Sequence, residues 1–93
     1  MSTEIRLPTQ LRPAADGNVS VTLEGATVGE VLRALETTYP GMRDQILSED
    51  GELRRFVNVY VNDDDVRYLD RLDTKLGDGD VVSILPAVAG GAH

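Results

Sequence analysis

One stretch of the chain has the spacing of a long amphipathic helix, and it limits the possible architectures more than any other feature. Val28, Val31, Leu32 and Leu35 fall at i, i+3, i+4 and i+7 and so share one helical face, while Glu30, Arg33 and Glu36 lie on the polar side. Thr27 is placed to cap the helix, with Glu30 three residues on at capping-box spacing, and Pro40-Gly41 ends it. Met42, Ile46 and Leu47 predict only a further short helical turn. With no second long helix to pack against, the apolar stripe must find a sheet.

The flanking segments supply that sheet. Thr3-Glu4-Ile5-Arg6-Leu7 alternates polar and apolar, with Ile5 and Leu7 inward. Residues 8–18 form a loop with two prolines and the turn signal Asp16-Gly17-Asn18, after which Val19, Val21 and Leu23 repeat the alternation as an antiparallel partner. Phe56-Val57-Asn58-Val59-Tyr60-Val61 is the clearest strand, valines towards the core and Phe56 and Tyr60 on the opposite face. Asn62-Asp63-Asp64-Asp65 reads as a turn, Val66-Arg67-Tyr68 as a short edge strand, and Leu69, Leu72 and Leu76 as an irregular cover over one end of the core. After the Asp78-Gly79 turn, Val81 to Leu85 forms a last strand with Val82 and Ile84 inward and Val81, Ser83 and Leu85 outward. Pro86 has no amide donor and suits the place where that strand leaves the ladder. This order predicts an α+β fold of the β-grasp, or ubiquitin-like, kind: a mixed four- to five-stranded sheet with one main helix on one face, the last strand central and parallel to the first.

A chain of 93 residues holds one small core, and 41% hydrophobic residues is ordinary for a folded domain. The division expected is a β-grasp domain over residues 1–86 and a flexible C-terminal tail over residues 87–93. No apolar run spans a membrane and no signal segment opens the chain, so the cytoplasm is the expected location. A net charge of −7 opposes binding to nucleic acid or to an anionic membrane, and favours a partner with a basic docking face.

Autonomous catalysis is disfavoured. Cysteine is absent, no Gly-rich phosphate loop exists, and the single histidine is His93, which nothing preorganises. Asp63, Asp64 and Asp65 lack the alternating ligand spacing of a calcium loop, and no metal ligand set is expected. The more informative features are two. Phe56, Tyr60, Val81 and Leu85 form an outward apolar patch on neighbouring strands, a candidate docking surface. From Ala87 to Gly91 every side chain is small, and Gly90-Gly91 has none; Val88, Ala89, Gly90 and Gly91 suit threading into a narrow channel where side chains would clash.

Asp78-Gly79-Asp80 with its following strand, Pro86, Val88 and Gly90-Gly91 resembles the C-terminal signature of the ThiS/MoaD family of bacterial sulfur carriers, and Val59-Tyr60-Val61-Asn62 resembles the family's middle strand and turn. The likeness runs from about Ile5 to Gly91. Residues 55–62 and 84–91 are most similar to the carriers of thiocarboxylate-dependent cysteine synthesis. The resemblance implies that the Gly91 carboxylate is adenylated by an E1-like adenylating and sulfurtransferase enzyme, then converted to a thiocarboxylate. It further implies delivery to a PLP-dependent cysteine synthase-type enzyme and release of the product by a JAMM-type zinc metallopeptidase. The carrier would be a protein co-substrate, not an enzyme, and would hold no cofactor of its own. Thiamin, molybdopterin or a secondary metabolite would be served by the same chemistry, and a ubiquitin-like modifier or a plain interaction module would share the fold. One departure stands out: Ala92 and His93 follow Gly91, so the expectation is a proform processed between Gly91 and Ala92.

Overall fold

The computed structural model describes residues 2–43, 45–55 and 57–86. Five strands and one helix appear in the order β1 (Ser2–Arg6), β2 (Ser20–Glu24), α1 (Val28–Thr38), β3 (Val57–Val61), β4 (Asp64–Asp65) and β5 (Val81–Pro86). They form one sheet of order β2-β1-β5-β3-β4. β1 is antiparallel to β2 and parallel to β5, and β3 is antiparallel to both β5 and β4. This is the β-grasp arrangement, with the last strand in the middle.

The predicted helix face is the buried one: Val28, Val31, Leu32 and Leu35 are fully enclosed, against Ile5, Val59, Val82 and Ile84 from the sheet. Thr27 Oγ1 accepts the Glu30 N–H at 3.2 Å. Glu30 reaches back to the N–H of Ala26 at 3.0 Å, one residue before the position a capping box ordinarily serves. The helix start is also stitched to the segment before β5, through Val28 N–H to the Thr74 carbonyl and Leu76 N–H to the Ala26 carbonyl. That pair of bonds ties the helix N-terminus to the approach to the central strand.

Several local expectations give way to tertiary packing. The predicted helical turn is a 3-10 turn at Pro40–Met42 only. Ile46 and Leu47 instead open a tight excursion in which Leu47 pairs with Leu53 and the Arg54 N–H donates to the Ile46 carbonyl, so their apolar side chains are buried without a helix. The loop over residues 8–18 contains a 3-10 helix, Arg12–Ala15, that buries Leu11 and Ala15. Val66–Tyr68 is a 3-10 turn and not an edge strand. The edge strand is the acidic pair Asp64–Asp65, brought back on β3 by a two-residue turn at Asn62-Asp63 with Asn62 at φ 57°, and the Asp65 carboxylate then caps the 3-10 turn through the Arg67 N–H. Val66 alone points inward, whereas Tyr68 is 88% exposed. Val19 lies before β2 and is exposed, and Leu69 is exposed as well, so only Leu72 and Leu76 of the predicted cover serve the core.

Thr3 continues the inward alternation of Ile5 and Leu7 and is buried, and its hydroxyl has no hydrogen-bond partner among the described residues. Replacing a desolvated hydroxyl with an isosteric methyl removes that cost. Thr3→Val should therefore raise the unfolding free energy by about 1 kcal/mol in urea titrations, whereas Thr27→Ala should lower it by about 1 kcal/mol through loss of the cap.

Candidate functional site

β5 is the element that carries the chain towards its C-terminus, with β1 beside its first half and β3 beside it from Val82 to Pro86. On one side Glu4, Ile5 and Arg6 face Val81, Val82 and Ser83; on the other Val57 to Val61 face Pro86 back to Val82. Pro86 is the last described residue and pairs with Val57, so the strand is held in register up to the point where the tail begins. Val82 and Ile84 point inward as predicted, leaving Val81, Ser83 and Leu85 on the outer face.

The start of β5 is fixed by a polar clamp. The Asp80 carboxylate accepts the Gly77 N–H at 2.8 Å and the Asn62 side-chain amide at 3.2 Å. Asn62 Oδ1 in turn accepts the Val81 N–H, and the Asn62 N–H donates to the Val81 carbonyl at 2.7 Å. One asparagine therefore closes the β3–β4 turn and locks the first residue of β5. The Gly77 N–H, followed by the Asn62 amide, holds the Asp80 carboxyl below its ordinary range. Gly79, at φ 87°, supplies the left-handed backbone that the turn needs. In the sequence Asn62 belongs to the turn after β3 and Asp80 to the residues that follow the Asp78-Gly79 turn. No sequence signal marks their contact, because it joins turns eighteen residues apart.

Three of the four predicted docking residues are described, and they share one face. Tyr60 sits directly opposite Ser83 and diagonally between Val81 and Leu85. Leu85, 47% exposed and opposite Asn58, is the most open of them. Tyr60 and Leu85 border a shallow depression of about 230 Å³, with Asn62, Asp63 and Ser83. Arg67 borders the same face, donating to Asn58 Oδ1 at 2.7 Å, and the Glu4–Arg6 pair lies on the neighbouring strand at 3.2 Å. The patch is thus a small apolar strip with a polar margin. Phe56, the fourth docking candidate, lies outside the described residues, as do Val88, Ala89, Gly90, Gly91 and Ala92.

A second recess beside the tail root was not foreseen. Pro8, Leu11, Val57, Ile84, Leu85 and Pro86 are among the residues that line a cavity of about 320 Å³ at the end of β5. Its one sequence signal is Leu11, the one large apolar side chain in the loop over residues 8–18. Among the described residues no group of three or more His, Cys, Asp and Glu side chains is placed to hold a metal ion, and no helix is long and apolar enough to cross a membrane.

The ThiS family model matches residues 5–91, ending on Gly91. The chain belongs to the ThiS family. It is 48% identical to the sulfur carrier protein CysO of Mycobacterium tuberculosis over 93 residues, covering 98% of this chain and 100% of that protein. The crystal structure of Mycobacterium tuberculosis CysO superposes with a TM-score of 0.86 at 45% identity, over 92% of this chain and 99% of that one. CysO of Amycolatopsis orientalis, solved in complex with BexX, gives the same TM-score at 44% identity, over 96% and 99% of the two chains. Small archaeal modifier protein 3 of Haloferax volcanii is 50% identical over 68 residues, 73% of each chain. This ThiS family member therefore matches sulfur carriers along nearly its whole length, and the β-grasp fold is common to both.

A carboxyl with a lowered folded-state pKa stabilises fully above its unfolded value, near about 3.9, and that contribution is lost as pH falls through the folded value. Asp80→Ala should lower the unfolding free energy by about 1 kcal/mol at neutral pH, the modest figure expected of exposed hydrogen bonds. The gap to the parent chain should narrow below pH 4, which thermal unfolding across pH 2–7 would read.

Proposed function

We propose that this protein is a sulfur carrier that works as a co-substrate of partner enzymes, with cysteine biosynthesis as its pathway. The observation that carries this reading is the full-length match to sulfur carriers, with the family model running through Gly91. In this reading Ala92-His93 is removed first, because a carboxyl in a peptide bond cannot be activated. An E1-like enzyme then transfers AMP from ATP to the Gly91 carboxylate, releasing pyrophosphate. A carboxylate is a poor electrophile, and the mixed anhydride makes its carbonyl open to attack by a sulfur donor. AMP leaves and a thiocarboxylate remains. That group stays ionised and nucleophilic near neutral pH, ready for addition to an acceptor in a PLP-dependent cysteine synthase-type enzyme. A JAMM-type zinc metallopeptidase would both trim the proform and release the product. The cytoplasm is the natural setting for such partners.

The geometry at the tail root supports this reading. β5 is held by β1 as far as Ser83 and by β3 up to Pro86. Residues 87–91, at full stretch, span roughly 17 Å, enough to enter a buried site. Side chains larger than those of Gly90 and Gly91 would clash in such a channel. Leu85, Tyr60 and Val81, with Phe56, would rest on the adenylating enzyme.

A second reading is favoured by the 50% identity to a small archaeal modifier protein. There Gly91 would be conjugated to lysines of other proteins. Intact-mass spectrometry separates the two. Treatment with a JAMM-type peptidase, then with ATP, an E1-like enzyme and a sulfide source, should remove Ala92-His93 and exchange one oxygen for sulfur. Gly91-linked isopeptide adducts on target lysines, without thiocarboxylate, would select the modifier; an unchanged mass, with a control carrier charged in parallel, would leave an interaction module. Replacing Gly90 with Trp should abolish adenylation without changing the melting temperature. Leu85→Asp should weaken binding to the E1-like enzyme about tenfold, measured by calorimetry, since a central exposed leucine is being made a charge.

A further inference from the structure

A cleft of about 190 Å³ on the β3–β4 side of the molecule has a composition at odds with the rest of the chain. The protein carries sixteen acidic residues and nine basic ones, yet Arg55, Arg67 and Arg71 converge on this cleft with one carboxylate, Glu52, among the lining residues. Its apolar surface comes from Leu53, Val66 and Leu72. Arg67 is held in place by Asn58 Oδ1 at 2.7 Å and the Val57 carbonyl at 3.2 Å. Among the described residues, no hydrogen bond or ion pair engages the guanidinium of Arg55 or Arg71.

Arg71 has a second peculiarity. The described non-glycine residues with left-handed backbone are Asp16, Asn62 and Arg71. Asp and Asn accept that region readily; a long side chain does so at a cost. The surrounding turn enforces it. Asp73 N–H donates to the Asp70 carbonyl, Thr74 N–H to the Arg71 carbonyl, and Asp70 N–H to Thr74 Oγ1. Leu72 meanwhile lies so close to α1 that a Cβ on Gly29 would stand 3.2 Å from the Leu72 carbonyl oxygen. The fold needs this backbone conformation but not an arginine; glycine or asparagine would adopt it with less strain. A strained residue whose side chain the fold does not use points to a role outside the fold.

We propose that this cleft docks an acidic segment of a partner protein, its carboxylates pairing with Arg55, Arg67 and Arg71 while one aliphatic side chain rests on Leu53, Val66 and Leu72. The guanidinium fork suits carboxylates, and the apolar floor favours a peptide over a small inorganic anion. Position adds to the case: Arg67 bonds the carbonyl of Val57, the residue paired with Pro86, so one strand, β3, separates this arginine of the cleft from the tail root. A partner that takes up the tail is then in reach of the cleft as well. The proposal does not depend on what Gly91 carries.

The test is amide NMR titration of the full chain with the amidated peptide Glu-Asp-Leu-Asp-Glu, and with its neutral analogue Gln-Asn-Leu-Asn-Gln. The acidic peptide should shift the amides of Leu53, Val66, Arg67 and Leu72, more weakly at 0.3 M than at 0.05 M salt, and the analogue should not. The double variant Arg55→Glu, Arg71→Glu, checked as folded by its own spectrum, should bind about tenfold more weakly. Arg71→Gly should also bind less, yet melt no lower than the parent, because it relieves the backbone strain; this variant decides the matter if the double variant misfolds. Equal binding of the neutral analogue, affinity unchanged in Arg71→Gly, or sodium phosphate shifting these amides at matched ionic strength while the peptide does not would each overturn the proposal.

Discussion

β5 lies between β1 and β3, and the rest of the structure depends on that insertion. A strand with hydrogen-bonding neighbours on both sides can bury Val82 and Ile84 fully against the helix without leaving backbone groups unpaired. Because β5 is parallel to β1, the chain must cross over between them, and α1 lies within that crossover. The helix is needed for the sheet to close, and the sheet is needed for the helix to hide its one apolar face. Neither half is stable as a separate layer.

The same insertion prepares the end of the chain for use. A tail leaving an edge strand would begin from a fraying segment. Here it begins at Pro86, paired with Val57, after a strand whose first residue is locked by Asn62 and Asp80. The paired strand therefore sets where the tail starts, and on the proposed function the small side chains of residues 87–91 would suit a narrow channel. The outer sheet face, with Leu85, Tyr60 and Val81 in one strip, flanks that starting point. On the proposed function, a partner would recognise the domain and take the tail in one encounter, which is the division of labour a carrier requires.

Charge is distributed unevenly around this arrangement. The net charge of −7 keeps the domain soluble and steers it towards basic surfaces. Against that background the arginine-lined cleft beside β3 is a local reversal of sign. Such a surface gains specificity more than affinity, because exposed pairs are individually weak but a mismatched partner meets repulsion on either side.

The sequence by itself determined the elements whose signal is periodic. The helix stripe, the valine alternation of β3, the inward pair Val82 and Ile84, and through them the β-grasp order, were all legible, because burial on one face imposes a repeat that any window reveals. The outward positions of Tyr60, Val81 and Leu85 were legible for the same reason, since their strands' inner faces were already assigned. What only the tertiary structure decided was everything made by residues distant in the chain. Leu11 is buried by neighbours its local sequence does not mention, and Val66–Tyr68 turns into a 3-10 helix once Asp64–Asp65 has taken the ladder positions. The Asn62–Asp80 clamp and the convergence of Arg55, Arg67 and Arg71 depend on turns meeting in space. Periodicity records which way a side chain points from its own strand or helix; it carries no information about what another segment places in front of it.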